Sequence, residues 1–397
     1  MKINKNNGRL KLITFLGIFF IFTLSGCILT PRYYIQFDSK TVDYENIAKY
    51  EKVKRILKEK YYKETDDNGL LEGAIVGMTD SLKDPYTVYL DKETMKKFME
   101  KTEGSYVGVG VLITVDKEGL LTIVESFADS PARESGLLKG DKIIKVDEED
   151  VTSIKDEQMV INMIKGIENT RAKITVYRPT EKRTIDFEVQ RRKVKISNIE
   201  SKLLKDNIGY IKIMVFDENI AKYFHEHLAK LKNNDIKGLI IDLRDNPGGS
   251  YDQVVEISDE ILPEGLIVYT EDRSGKKEYK YSKKGELGLP LAVLINENSA
   301  SASEILAGAI KDHKKGRLVG NKTFGKGLVQ TVVGFKDGSG LKYTMARYFT
   351  PNGVCIHGVG IEPDITVDTL GKYAGYPVSQ IPENSDLQLQ KAIEILK

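Results

Sequence analysis

The chain has no tryptophan, two cysteines and four histidines in 397 residues. Two cysteines exclude a disulfide framework and any cysteine-rich zinc module. The histidines (His225, His227, His313 and His357) form no H-E-x-x-H motif. His225 and His227 lie close together but have no third ligand nearby, so a metal is not expected, and no motif in the chain implies an organic cofactor. A G-x-S-x-G elbow is missing as well. So is an excess of charge of one sign: 60 Lys+Arg stand against 58 Asp+Glu. Without a general basic field, nucleic acid is not an expected partner. There is no internal repeat and no low-complexity tract. At 41% hydrophobic and 30% charged, the composition excludes a disordered or collagen-like chain. The length suits two to three domains with sizeable cores.

What is present begins with four cations and no acid: Lys2, Lys5, Arg9 and Lys11. An apolar run from Leu12 to Leu24 leads into Leu24-Ser25-Gly26-Cys27. A run of about 13 residues suits a signal-peptide core better than a membrane span of roughly 20. The Leu-Ser-Gly-Cys sequence resembles a bacterial lipoprotein cleavage box, which implies lipidation of Cys27. The competing reading is an uncleaved anchor, because Ile28 and Leu29 extend the apolar stretch to about 18 residues. Both readings place the bulk of the chain outside the cytoplasm, held to the cell membrane through its N-terminus. Losing the four cations lowers the basic count from 60 to 56 against 58 acids, so the remainder is nearly neutral. Cys355 then has no partner and is expected as a free thiol.

Pattern divides the chain into a signal sequence (1–26), a linker (27–45) and four further segments. In residues 46–103, Val53, Ile56 and Leu57 recur at helical spacing, as do Leu71, Ile75 and Met78. Asp84-Pro85 interrupts the second run, and nothing here has catalytic spacing. Residues 104–190 carry short β-rich runs with glycine turns and one helix over about 156–165. Residues 191–370 alternate strands and helices. Gly238-Leu-Ile-Ile-Asp-Leu243 and Leu291-Ala-Val-Leu-Ile295 read as buried parallel strands of an α/β core. Residues 371–397 end in a helix over about 385–396. The amphipathic segments at 46–99 and 385–396 could form a homodimer contact or pack on their own core.

Tyr106-Val-Gly-Val-Gly-Val-Leu112 precedes a strand, and Ser130-Pro-Ala-Arg-Glu-Ser-Gly-Leu-Leu-Lys-Gly-Asp-Lys-Ile-Ile-Lys-Val-Asp147 follows it. Together these resemble a PDZ domain. Glycines at 108 and 110 permit a tight loop, Gly108-Val109-Gly110-Val111, whose N–H groups can meet a peptide carboxylate. The adjoining strand edge can pair with the peptide. Met159, Val160, Met163 and Ile164 lie at helical spacing and read either as a groove wall or as core.

Three further pieces carry chemistry. Glu297-Asn-Ser-Ala-Ser-Ala-Ser-Glu304 sets serines between a strand and a helix, where free N–H groups and the helix dipole favour a nucleophile and its oxyanion. The same residues also suit an ordinary N-cap. Thr323-Phe-Gly-Lys-Gly-Leu-Val-Gln330 holds Lys326 between glycines. Burial there would lower its pKa and make it a base, whereas an exposed Lys326 would be a surface lysine. Asp242-Leu-Arg-Asp-Asn-Pro-Gly-Gly-Ser250 ends a strand in consecutive glycines, which form either an anion nest or a plain turn.

In this order, and after a PDZ-like segment, these pieces resemble the carboxy-terminal processing proteases, PDZ-containing serine peptidases with a Ser–Lys dyad. The resemblance extends to Gly73–Leu90 and to Tyr348–Asp364. It implies a multidomain α/β protein, with a PDZ domain between an N-terminal helical segment and a crotonase-like protease core, and a C-terminal helix. By position it implies Ser301 as nucleophile, Lys326 as general base and Gln330 as the residue that positions it. It assigns the oxyanion hole to Ala302 with Gly248 or Gly249. Asp312 falls where relatives often carry an acid, Lys165 stands where they often carry Arg, and Cys355 reads as small core filler. The implied activity is endoproteolysis of exported proteins at or near their free C-termini. A catalytically silent peptide-binding scaffold is the alternative.

Overall fold

The computed structural model describes residues 44–127, 129–154, 157–283, 285–368, 373 and 378–397. The expected signal sequence, with Cys27, lies outside these residues. Among the described residues no helix is long and apolar enough to cross a membrane. The chain divides into two compact units, 1–71 and 72–397. In the first, α1 (Tyr44–Lys60) buries no residue, and Val53, Ile56 and Leu57 remain exposed. Helix α2 (Asp67–Asp80) begins in the first unit and ends in the second.

The second unit opens with a short strand, β1 (Val88–Leu90), and helix α3 (Lys92–Glu103). Asp91 caps α3 by accepting the Thr94 N–H, and Gly104 closes it in the left-handed conformation. Strand β2 (Ser105–Gly108) then leads into the PDZ fold. Its sheet is built from β3 (Val111–Val115), β4 (Leu121–Ser126), β5 (Lys142–Val146) with the short β6 (Glu149–Asp150), β7 (Arg171–Arg178) and β8 (Arg183–Gln190). Helices α4 (Pro131–Ser135) and α5 (Glu157–Ile164) complete the fold. The apolar residues of α5 divide as an amphipathic helix must. Val160 and Ile164 are buried in the core, Met163 packs at its margin and Met159 is exposed. Arg178 forks onto both carboxylate oxygens of buried Asp141 and locks β7 to the turn before β5. The chain leaves through β9 (Arg192–Lys195), which pairs antiparallel with β2.

The core that follows has two sheets. The first orders β10 (Ile199–Leu204), β11 (Ile208–Ile213), β12 (Gly238–Asp242), β15 (Leu291–Ile295), β16 (Arg317–Gly320) and β19 (Ile365–Thr366). All its pairings after β10–β11 are parallel. The second sheet is antiparallel and contains β13 (Gly265–Asp272), β14 (Lys277–Ser282), β17 (Leu328–Gly334) and β18 (Gly340–Phe349), together with β1. Every residue of β12 and β15 is buried, as expected of strands covered on both faces. Leu239 and Ile241 face one cluster with α6 (Ile220–Lys232), α7 (Tyr251–Ile261) and α8 (Ala302–Asp312). Ile240 faces the other, with Leu389 and Ile393 of α9 (Leu387–Ile395). The terminal helix is therefore part of the core. Fully buried Arg244 fastens it, reaching Asp242 at 2.6 Å and Asp386 at 2.8 Å.

Candidate active site

Parallel strands deliver their following loops to the same edge of a sheet. Neighbouring β12 and β15 thus bring residues 243–250 against residues 296–301. Fully buried Asn246 joins the two loops. Its side chain donates to the Ile213 carbonyl and accepts the Gly248 N–H, and its own carbonyl accepts from Ala300 N–H and Ser303 Oγ. Asp245 adds contacts to Asn296 and Asn298.

The three loop serines are not equivalent. Ser299 Oγ donates to the Leu243 carbonyl and Ser303 Oγ to the Asn246 carbonyl, both at full burial. Ser301 alone lines the cleft. It occupies the N-cap position of α8 at φ 55° and ψ −113°. A non-glycine residue held in so sparsely populated a region costs about 1–3 kcal/mol. That strain is sustained by the Glu304 carboxylate, which accepts the Ser301 N–H, and by Tyr348, whose hydroxyl donates to the Ser301 carbonyl.

Glu304, fully buried, was not singled out in the sequence. Its carboxylate also accepts from Thr323 Oγ1, Gly325 N–H and Lys326 N–H at 2.6–2.8 Å. One carboxylate thereby fixes both the Ser301 turn and the Lys326 turn. The local signal was available, since Ser301 and Glu304 have capping-box spacing.

Ser301, Lys326 and Gln330 line one cleft of about 480 Å³. Among the described residues no hydrogen bond joins Ser301 Oγ to Lys326 Nζ. The Lys326 amine instead sits 4.6 Å from the Tyr86 ring centroid. Burial, and then the nearby Lys342 cation, hold its pKa below the ordinary lysine value, against the opposing pull of Asp84 and Glu304. Gln330 reaches the cleft, but its buried Nε2 has no partner, so the expected bond to the lysine amine is not made.

The two candidate glycines differ in geometry. Gly248 has φ 100° and Gly249 φ 143°, and a Cβ on Gly248 would come within 2.7 Å of both the Ala300 carbonyl and Ser301 Cβ. The Gly248 N–H is already donated to Asn246. Phe216 bridges to Gly249 by accepting from Ser250 N–H and donating to the Gly248 carbonyl, which turns the Gly249 N–H away from Phe216. Among the described residues neither Gly249 nor Ala302 N–H has an acceptor. Gly249 rather than Gly248 is the free donor.

Other expectations need correction. Segment 46–103, read as lacking chemistry, supplies Tyr86 under the lysine and Phe98, Lys101 and Thr102 to the cleft. It reaches there because β1 pairs with β18. Asp312, whose role the sequence left open, accepts the Asn352 N–H, and His313 engages the Leu266 carbonyl. Cys355 is a half-buried free thiol rather than core filler. Among the described residues no cluster of His, Cys, Asp or Glu could hold a metal.

Family models match along the chain: the activating protease CtpB N-terminal domain over residues 32–94, a PDZ domain over 105–190 and Peptidase family S41 over 207–367. A probable CtpA-like serine protease of Staphylococcus aureus (strain N315) is 36% identical over 371 residues, covering 91% of this chain and 73% of the relative. The chain belongs to peptidase family S41. A putative S41 protease from Bacteroides fragilis NCTC 9343 shares the fold, with TM-score 0.52 and 15% identity over 87% of this chain and 96% of that one. A photosystem II D1 C-terminal processing protease is 30% identical at TM-score 0.48, covering 80% and 86%. The protein is thus a CtpA-like S41 serine-type peptidase with a PDZ domain.

Proposed function

We propose that this S41 peptidase is a Ser–Lys endopeptidase that cuts exported proteins at or near their C-termini. The observation that carries the reading is the pairing, in one cleft, of the one loop serine whose hydroxyl is not donated to a backbone carbonyl among the described residues and a half-buried lysine that makes no ion pair among them. Lys326, whose pKa burial lowers, swings in its neutral form from the Tyr86 ring to take the Ser301 proton as Oγ attacks the scissile carbonyl. The oxyanion forms against the N–H groups of Gly249 and Ala302. The lysine returns its proton to the leaving amine, and water then hydrolyses the acyl-enzyme. Gln330, its amide unpaired, steadies the amine after the swing. The loop at residues 108–111 captures the chain end. Lipid on Cys27, or an uncleaved N-terminal anchor, keeps the enzyme at the outer face of the cell membrane.

The test incubates the chain from residue 28, beside Ser301→Ala and Lys326→Ala, with β-casein and reads the products by mass spectrometry. Cleavage by wild type alone is expected. Equal cleavage by Ser301→Ala refutes the nucleophile, and cleavage by none of the three, with peptide binding retained, favours the silent scaffold.

A further inference from the structure

The PDZ fold carries an internal occupant where a peptide end would dock. Strand β3 lies at the edge of its sheet and is unpaired on one side. Phe127 N–H donates to the Gly110 carbonyl, which makes Val111–Ser126 a non-hydrogen-bonded pair. The Val111 N–H therefore points to the open side. The hydroxyl of Tyr106 faces this N–H and that of Gly110. Its ring folds back over Gly108, where an added Cβ would lie 2.7 Å from Tyr106 Cε2. Lys165 holds the ring from outside. Its amine is 4.9 Å from the ring centroid and pairs with Glu100 at 2.9 Å. Burial pushes the Tyr106 hydroxyl up to about 12, so it is neutral at working pH.

We propose that the Tyr106 hydroxyl is a built-in competitor for peptide C-termini, and that a chain end docks in this loop by displacing it. The inference rests on the reading of residues 108–111 as a carboxylate-binding loop. A neutral phenol oxygen and a carboxylate seek the same two donors. Hydrogen bonds to the ionised group are about twice as strong, so a free chain end can displace the phenol. A ligand with only a neutral carbonyl to offer gains little from the exchange. Pairing of Tyr106 with Val194 fixes the backbone, so the exchange needs only rotation of the side chain. The competitor lowers apparent affinity by the fraction of molecules in which the loop is open, and thereby sets a threshold that weak ligands do not cross.

The test uses the full chain in detergent, carrying Ser301→Ala to prevent turnover. The probe is a fluorescein-labelled pool of octapeptides randomised over the last four positions, prepared as free acids and as C-terminal amides. Anisotropy is expected to show Tyr106→Phe binding the acid pool at least about fivefold more tightly, the worth of the first of the two neutral hydrogen bonds released. Tyr106→Leu, which also lacks the hydroxyl, is expected to tighten binding likewise and covers the case of a poorly folded Phe variant. Unchanged or weaker binding by both variants, while wild type still prefers acids to amides, overturns the competitor. If no chain prefers acids to amides, the carboxylate-loop reading itself fails and the competitor with it.

Discussion

Replacing Glu304 by Gln tests the idea that one buried carboxylate organises both halves of the site. The carboxylate accepts four hydrogen bonds, from Ser301 N–H, Thr323 Oγ1, Gly325 N–H and Lys326 N–H. Glutamine keeps the shape but converts one oxygen into a donor. Each oxygen serves two partners, so in either orientation of the amide two donors face another donor. Hydrogen bonds to a charged acceptor contribute about 1.5–3 kcal/mol each, and two lost bonds cost about 3–6 kcal/mol. Removing a buried charge returns part of that, leaving an expected loss of about 3 kcal/mol. Urea unfolding measures it as a lower midpoint at unchanged slope. Loosening the Ser301 and Lys326 turns together is expected to lower kcat about 100-fold. The pH profile supplies an independent sign. Glu304 pulls the Lys326 pKa upward, so its loss lets that pKa fall further. Activity needs the neutral amine, and its rising limb is therefore expected to move to lower pH. A stability loss below about 1 kcal/mol, less than one such bond, or a limb moved to higher pH refutes the reasoning.

Lys342→Met acts on the same limb with the opposite sign. The Lys342 cation depresses the Lys326 pKa, so removing it raises that pKa and moves the rise in kcat/KM to higher pH; an acid shift contradicts this. Asp386→Ala leaves the buried Arg244 guanidinium without the carboxylate that meets its Nη1 and Nη2. Breaking a buried pair in this way costs about 3–5 kcal/mol, read from the denaturant midpoint, and a near-neutral result refutes the role given to the terminal helix.

The sequence exposed what depends on neighbours in the chain. Short, mainly apolar runs announced β12 and β15, and the small-residue loop after β15 placed a serine at a helix start. The helical spacing of Met159, Val160, Met163 and Ile164 marked α5 but not the exposure of Met159. What stayed hidden depends on partners far apart in sequence. Tyr86 meets Lys326 only because Val88 registers with Lys342 across the antiparallel sheet. Asp386 meets Arg244 only once the last helix crosses the sheet. The choice between Gly248 and Gly249 turns on which way a peptide plane faces, and the Asn246 side chain decides that. The resemblance implied Gln330 as the residue that positions the amine. A register shift between Val329 and Gln330 breaks the regular alternation that spacing assumes.

The pairing of Gly108 with Arg192 has a topological meaning for the PDZ fold. Seen from the protease, β2 and β9 are the two legs of a single hairpin, and everything from residue 109 to 191 is its loop. A two-legged stem whose legs are bonded to each other resists the sliding of one leg past the other. It also means that the insertion can be removed cleanly. Closing residue 108 onto residue 192 with a short turn leaves β1, α3 and both core sheets with their chain continuity intact, and yields a protease without its peptide-capturing module.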